Sequence, residues 1–416
     1  MKILFLSQYF PPEIEPSAAK VRDLSRNLAA RGHEVTVITG FPNYPTGIMH
    51  REYKNRLLAE EKVDNVRVLR TFLIPSPSRG FTRRMLGGLS FMCSSTLRSI
   101  FAGPSDVVIT SSPPLEIGLA GYLVSRLRSV PFVFEVRDVW PMAAIVLGVI
   151  RNRVVIRLAQ SVERFIYSNA DHIVAVTDGV RQHVLEVGVD ESMTTLIKNG
   201  VDTDIFRPLD RYSPLRQQLG LNGKFVCIYT GTHGLQANLS AVLQAAALLM
   251  PDPDIAFLFV GDGAEKPKLR QIKQEQSLSN VIFLEPQPRE LIPHLISLAD
   301  VGLVHTRSEA FFEGYLPVKM FEYMACGCPV IVANNGEARQ LVEDARAGVW
   351  AQPGNPSSLA DALRRLRADP ACRQQMGANG REYARRNLSR DTLADHYERL
   401  LVALIARQRG QNVPMH

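Results

Sequence analysis

The chain has 416 residues, 46% of them apolar and 21% charged, with a mean hydropathy of −0.03; that is too long for one hydrophobic core and fits two domains of about 200 residues each. No run approaches the 18 or more apolar residues of a membrane-spanning helix, and a formal charge of +7 without a nucleic-acid-binding motif or aromatic ladder argues against a nucleic-acid partner. The five cysteines at 93, 227, 326, 328 and 372 make neither a disulfide framework nor a zinc set, which points to a reducing cytoplasm.

Short apolar strands alternate with helical stretches from the start. Lys2–Leu6 runs straight into Ser-Gln-Tyr-Phe-Pro-Pro; it is too short for a signal-peptide core and reads as a first strand. Further strands are expected at Glu34–Thr39, Val66–Arg70, Val107–Thr110, Pro131–Val136, His172–Val176 and Thr194–Ile197. Helices such as Ala18–Arg31 and Val154–Ser168 lie between them. The second half repeats the theme, with strands at Phe225–Thr230, Ala256–Val260, Val281–Leu284, Val301–Val304 and Pro329–Val332. Continuous apolar strands separated by helices predict buried parallel sheets, hence two doubly wound α/β domains. The proline-bearing stretch Phe206–Leu215 has loop composition and sets the boundary, giving an N-terminal domain over 1–205 and a second over 206–390.

The most informative segment is Gly314-Tyr-Leu-Pro-Val-Lys-Met-Phe-Glu-Tyr-Met-Ala-Cys-Gly-Cys-Pro-Val330. It reads as a short helix with Pro317 at its first position and Gly327 in the left-handed position that ends it. Lys319 and Glu322 stand three residues apart and share one face. Lys319 falls in the first turn, where backbone N–H groups and the macrodipole favour an anion. Glu322, one turn deeper, can accept two hydroxyl hydrogen bonds. A diphosphate with a ribose beside it would satisfy both, whereas a plain surface Lys–Glu pair is the bland alternative.

The run from Pro317 to Ile331 resembles the signature of retaining glycosyltransferases of the GT-B fold, in the branch that builds bacterial O-antigen, capsule and exopolysaccharide repeats, N-acetyl-fucosamine transferases among them. The resemblance implies two Rossmann-like domains facing a central cleft, with Glu322 on the nucleotide ribose. It also implies that the C-terminal segment 391–416 carries a helix, near Arg390–Arg407, that crosses back to the first domain. The family pattern places a glutamate at 314. Here Gly314 stands there and Glu313 one place early, so a backbone N–H at Gly314, followed by Tyr315, Leu316 and Pro317, is expected to meet the donor sugar.

Other motifs fall into place around this one. Phe225-Val-Cys-Ile-Tyr-Thr-Gly-Thr-His-Gly234 is a strand ending in a glycine turn before a helix, so Gly231, Thr232, His233 and Gly234 form a candidate phosphate cradle. Val260-Gly-Asp-Gly263 resembles the family's second glycine turn, with Gly261 either touching the donor or simply making the turn. In this fold the loop Leu284–Arg289 receives the base, through main-chain groups near Glu285 and Gln287. Arg307 stands past the next strand, where a second phosphate contact would come from.

In the first domain, loops beyond strand carboxyl ends line the crevice. Tyr9, Pro16 and Ser17 after the first strand, Asn43 and Tyr44 after the second, and Arg137 and Asp138 after the fifth are acceptor candidates. Asp138 would hold a sugar hydroxyl or orient the acceptor; a structural Arg–Asp pair is the alternative. Between Asp64 and Asp106 the chain carries six arginines and no acid. Within this arm Arg79, Arg83 and Arg84 precede the uncharged run Met85–Leu97, so the segment can lie on an anionic membrane with Leu86 and Phe91 toward lipid, or pack as a buried helix.

The expected activity is transfer of a sugar, an N-acetyl-hexosamine or deoxy relative on UDP, to a polyprenyl-diphosphate-linked glycan at the inner face of the plasma membrane. No cofactor or metal is expected: Lys319, Asp138 and Glu322 carry the chemistry. A nucleotide-sugar epimerase or a non-catalytic membrane-associated scaffold are the alternatives.

Overall fold

The computed structural model describes residues 1–13, 16–44, 46–75, 81–211 and 214–411. They form two compact units, one of Met1–Asn199 with the stretch from Arg390 on, the other of Gly200–Ser389. In the first unit the strands are β1 (Lys2–Leu6), β2 (Glu34–Gly40), β3 (Leu58–Val63), β4 (Val66–Thr71), β5 (Val107–Ser111), β6 (Phe132–Val136), β7 (His172–Ala175) and β8 (Thr194–Leu196). The helices are α1 (Pro16–Ala30), α2 (Phe81–Ser99), α3 (Ile117–Arg128), α4 (Met142–Val146), α5 (Arg153–Asn169) and α6 (Asp178–Glu186). The sheet order is β3-β4-β2-β1-β5-β6-β7-β8, parallel except where β3 pairs antiparallel with β4. β3 escapes sequence reading because its run Leu-Ala-Glu-Glu-Lys-Val carries three charges, as edge strands do.

The second unit holds α7 (Pro214–Gln218), β9 (Phe225–Thr230), α8 (Leu239–Leu248), β10 (Ile255–Val260), α9 (Lys266–Glu275), β11 (Val281–Leu284), α10 (Ile292–Ser297), β12 (Val301–His305), α11 (Val318–Ala325), β13 (Val330–Ala333), α12 (Glu337–Asp344), β14 (Gly348–Trp350), α13 (Pro356–Ala368) and α14 (Pro370–Asn387). Its parallel sheet runs β11-β10-β9-β12-β13-β14. The strand order reverses between β9 and β12, and only Cys227 and Ile228 of β9 find partners on β12. Past Ile228 the two strands part, which opens the crevice that doubly wound sheets form at a switch point. β14, three residues at an edge, was too short to leave a sequence signal.

From Arg390 the chain returns to the first unit as α15 (Arg390–Gln408). Leu393, Tyr397, Leu401 and Leu404 of α15 join Val21, Leu24 and Leu28 of α1 in one core layer. The opposite layer, under α2, α3 and α5, contains Phe91, Ile117, Val124 and Ile166. Two buried ion pairs, Lys20–Glu135 and Arg390–Asp23, fix the layer of α1 and α15.

Candidate active site

Where β9 leaves β12, the Thr230 N–H has no strand partner and donates instead to the Tyr323 hydroxyl at 2.8 Å. Gly302 makes room for that ring, since a Cβ there would stand 2.4 Å from it. Tyr323 is on α11, so this bond seats α11 at the end of β9. The helix begins at Val318, with Pro317 in extended conformation at the N-cap, one place before the first helical position expected from sequence. At the other end Gly327 has φ +69°. Its N–H donates to the Met324 carbonyl at 2.9 Å, and the Cys328 N–H to the Tyr323 carbonyl at 2.9 Å, the paired bonds of a Schellman stop.

Lys319 lies in the first turn, and its ammonium sits 3.6 Å from the centroid of the Tyr229 ring. Its Cε and Nζ pass so close to Gly231 that a Cβ there would be 3.5 Å away. Burial pushes the Lys319 ammonium down to about 7, against the pull of the Glu322 carboxylate. The residue as a whole is half-buried, so protein crowds the ammonium without enclosing the entire side chain. Glu322 is half-buried on the same helix.

The glycine turn after β9 is held from below. Gly231 has φ +111° and is exposed with Thr232, and the Tyr229 hydroxyl donates to the Thr232 carbonyl at 2.8 Å. Gly261 packs backbone to backbone on this turn: at φ +138°, a Cβ would lie 2.1 Å from the Gly231 carbonyl oxygen. The structure moves His233 out of the ligand-facing set. Its ring is fully buried among Tyr229, Phe259 and Phe283. Its N–H donates to the Asp262 carbonyl at 2.8 Å, and its carbonyl accepts from the Glu265 N–H at 3.0 Å. Burial, with Lys266 and Lys319 nearby, pushes the imidazole down to about 4. Gly234 is buried behind it.

Further round the same carboxyl edge, Glu285 is exposed and paired with Lys266 at 2.9 Å and with Arg270. Gln287 donates to the Glu285 carbonyl at 3.1 Å. Arg307 is engaged by Glu309, Nε to Oε1 at 2.7 Å. Gly314 ends a 3-10 turn over Ala310–Gly314, Tyr315 caps it, and Leu316 is buried. Sequence reading missed Tyr229, Tyr323 and Lys266. The buried Lys266 ammonium donates to the carbonyls of Gly261 at 2.6 Å and Leu284 at 3.2 Å, tying the turns after β10 and β11 together.

In the first unit the expected acceptor residues also fall at the carboxyl edge of the sheet. Tyr9 and Tyr44 meet edge to face with ring centroids 5.8 Å apart, Pro16 opens α1 and Ser17 is buried in its first turn. Asn43 and Tyr44 donate their backbone N–H groups to one oxygen of Glu13, each at 3.0 Å, a clasp without sequence signal. Burial pushes the Glu13 carboxyl up to about 7 in spite of these bonds. Arg137 and Asp138 follow β6, and the Arg137 Nε and Nη1 are buried without hydrogen-bond partners among the described residues. Arg83, Arg84 and Leu86 are exposed on α2, but Phe91 is buried in the core and not on a lipid side. Arg79 lies outside the described residues. Among those residues no helix is long and apolar enough to cross a membrane.

Two families match the chain in tandem: the glycosyl transferase 4-like domain over residues 17–200 and the glycosyl transferases group 1 over residues 213–383. WcaI of Escherichia coli K12, named for glycosyl transfer in colanic acid biosynthesis, is 27% identical over 405 residues, 94% of this chain and 98% of its own. Sucrose-phosphate synthase of Thermosynechococcus elongatus superposes with a TM-score of 0.77 over 98% of this chain and 100% of its own, at 22% identity. HepE of Anabaena, solved with UDP-glucose, gives 0.74 over 97% and 100%, at 18% identity. The fold is therefore GT-B.

Proposed function

We propose, from the premise that this chain belongs to the glycosyl transferases group 1 family, that it moves a sugar from a nucleoside diphosphate to a hydroxyl of a lipid-linked glycan in surface polysaccharide assembly. The observation that carries this reading is the Lys319 ammonium at the mouth of α11, held over Tyr229 and against the exposed Gly231 turn. In the reaction the bond between the sugar anomeric carbon and the diphosphate oxygen breaks, and negative charge grows on the leaving group. Lys319, the backbone N–H groups opening α11 and the Gly231–Thr232 turn would stabilise that charge. No metal is needed in this scheme. Arg307 would add a second positive contact by exchanging Glu309 for phosphate.

Glu322 is the ribose acceptor in this reading, and main-chain groups at Glu285–Gln287 read the base. Gly314 and Tyr315 lie against the sugar. Asp138, with Arg137, Tyr9 and Tyr44, orients the acceptor hydroxyl, which attacks on the face the nucleotide leaves, so that configuration is retained. Likeness to WcaI supports polysaccharide assembly, and likeness to a protein solved with UDP-glucose supports a uridine donor. The resemblance of the Pro317–Ile331 run extends this reading to a UDP-linked N-acetyl-hexosamine or deoxy relative as donor, and to an acceptor carried on a polyprenyl diphosphate at the inner membrane surface. An epimerase or a scaffold leaves the acceptor-side loops without a task.

The test is a thermal-shift panel of the purified protein with UDP, GDP, ADP, dTDP and CMP. A rise of several degrees with UDP, lost in Glu322→Ala, supports the reading. No shift with any nucleotide at millimolar concentration removes it.

A further inference from the structure

Helix α2 is built inside out. Its buried side carries Gly87, Gly88, Ser95 and Ser99 around the large Phe91. Its solvent side carries Leu86, Leu89, Cys93 and Leu97, continued by Ile100 just past its end, all exposed. Steps of three and four residues make this one stripe along the helix. Scattered exposed leucines need no explanation, but a continuous apolar stripe over a small-residue inner face does.

The neighbours continue it. α2 packs on α3 and α3 on α5, and all three cover the same side of the sheet through one core layer, so their outer faces look the same way. On α3 the exposed positions are Leu123, Arg126 and Leu127. On α5 Val154 and Leu158 are 73% and 65% exposed, each directly after an exposed arginine, Arg153 and Arg157. Phe165 follows Arg164 in the same way and meets Tyr122 of α3 edge to face at 5.1 Å. Glu163 is the one acid in the sequences of the three helices; it is buried and bonded to His183 at 2.8 Å.

We infer that the outer faces of α2, α3 and α5 together form a docking surface for an anionic lipid bilayer. The apolar side chains enter the headgroup boundary, while the arginines extend their guanidinium groups to lipid phosphates. A protein partner would need a matching acidic face, and a second copy of this chain would set arginines against arginines, so charge selects the lipid surface. For its purpose, though not for its observations, the inference rests on the proposed lipid-linked acceptor. It also assigns α5, which begins only at Arg153, well after the arginine-rich arm, an equal part in docking.

The test uses the full chain with sucrose-loaded vesicles, either pure phosphatidylcholine or phosphatidylcholine with a third phosphatidylglycerol, in a co-sedimentation assay. Binding is expected to the anionic vesicles and to weaken with salt. An arginine near such a surface is worth about fivefold in partitioning, so Arg153→Ser, Arg157→Ser and Arg164→Ser together should lower binding on the order of 100-fold. Leu97→Ser with Leu158→Ser should lower it at least tenfold. Both variants keep the UDP thermal shift, which reports folding and the donor site separately. Anionic vesicles that fail to bind the wild type, or bind the α5 variant equally well, overturn the inference. So does a wild-type dimer in sedimentation velocity that the leucine variant abolishes, since the face would then bind a second copy. A protein that binds vesicles but shows no nucleotide shift keeps this inference and loses the proposed transfer.

Discussion

A lysine with a pKa near 7 has lost much of its charge at neutral pH, and a diphosphate beside it would draw the missing proton back. Burial lowers the Lys319 value to about 7, and a bound anion raises it again. Below pH 7 the ammonium is already present and binding takes up no proton. Above pH 7 each bound UDP must recover one, so affinity falls with rising pH, by up to about tenfold per pH unit, until the raised pKa of the complex is passed. Calorimetry at pH 6.5, 7.5 and 8.5, in buffers of different ionisation enthalpy, should show proton uptake in the wild type and none in Lys319→Arg. Lys319→Ala should stay folded yet lose on the order of 100- to 1000-fold in turnover. For Glu322, hydrogen bonds to a carboxylate are worth about 1.5–3 kcal/mol, so Glu322→Ala should weaken UDP ten- to a hundredfold. The wild type should bind 2′-deoxy-UDP less well than UDP, and the variant should bind both alike; unequal loss in the variant would move the ribose elsewhere.

At the level of elements, α11 delivers Lys319 because Tyr323 docks it on the unpaired end of β9. Tyr323→Phe removes the acceptor of the buried Thr230 N–H and keeps the ring over Gly302. Leaving that group unsatisfied should cost about 1–3 kcal/mol, seen as a lower midpoint in urea, with UDP affinity falling because the first turn of α11 loosens. Unchanged stability would mean that Thr230 finds another partner and that packing alone seats the helix. This bond marks the limit of sequence reading. The helix itself was legible: Pro317, Gly327 and the spacing of Lys319 and Glu322 gave its ends and its polar face, with an error of one residue at the start. The strands that bury both faces were legible too, because continuous apolar runs have few other uses. The charged edge strand Leu58–Val63 and the short Gly348–Trp350 were not. The burial of His233 and Phe91 was hidden for another reason. A histidine in a glycine turn and a phenylalanine among exposed leucines each look polar or lipid-facing locally, and only the third dimension shows which way the side chain turns. Tyr229, Tyr323, Lys266 and Glu13 act through partners 3 to 93 residues away, distances that no periodicity records.

On the scale of the whole molecule, the chain leaves its first unit once and comes back. The outgoing and returning segments lie side by side, the Val201 N–H donating to the Leu388 carbonyl at 2.8 Å next to a bridge between Val201 and Ser389. The returning helix α15 supplies Leu393, Tyr397, Leu400, Leu401, Leu404 and Ile405 to the core of the first unit. At about 1.5–3 kcal/mol for each large side chain, their loss is on the order of 10 kcal/mol, as much as the whole stability of a typical domain. Ending the chain at Ser389 should therefore unfold the first unit and spare the second. Hydrogen exchange should show protection lost through β1–β8 and kept through β9–β14, with the UDP thermal shift intact. A milder change separates packing from charge. Asp23→Ala leaves the buried Arg390 guanidinium without its carboxylate, which costs about 3–5 kcal/mol, while Asp23→Ala with Arg390→Met removes both charges and should recover most of that loss. If the double variant is no more stable than the single one, the pair contributes through geometry, and α15 is held by its apolar face alone.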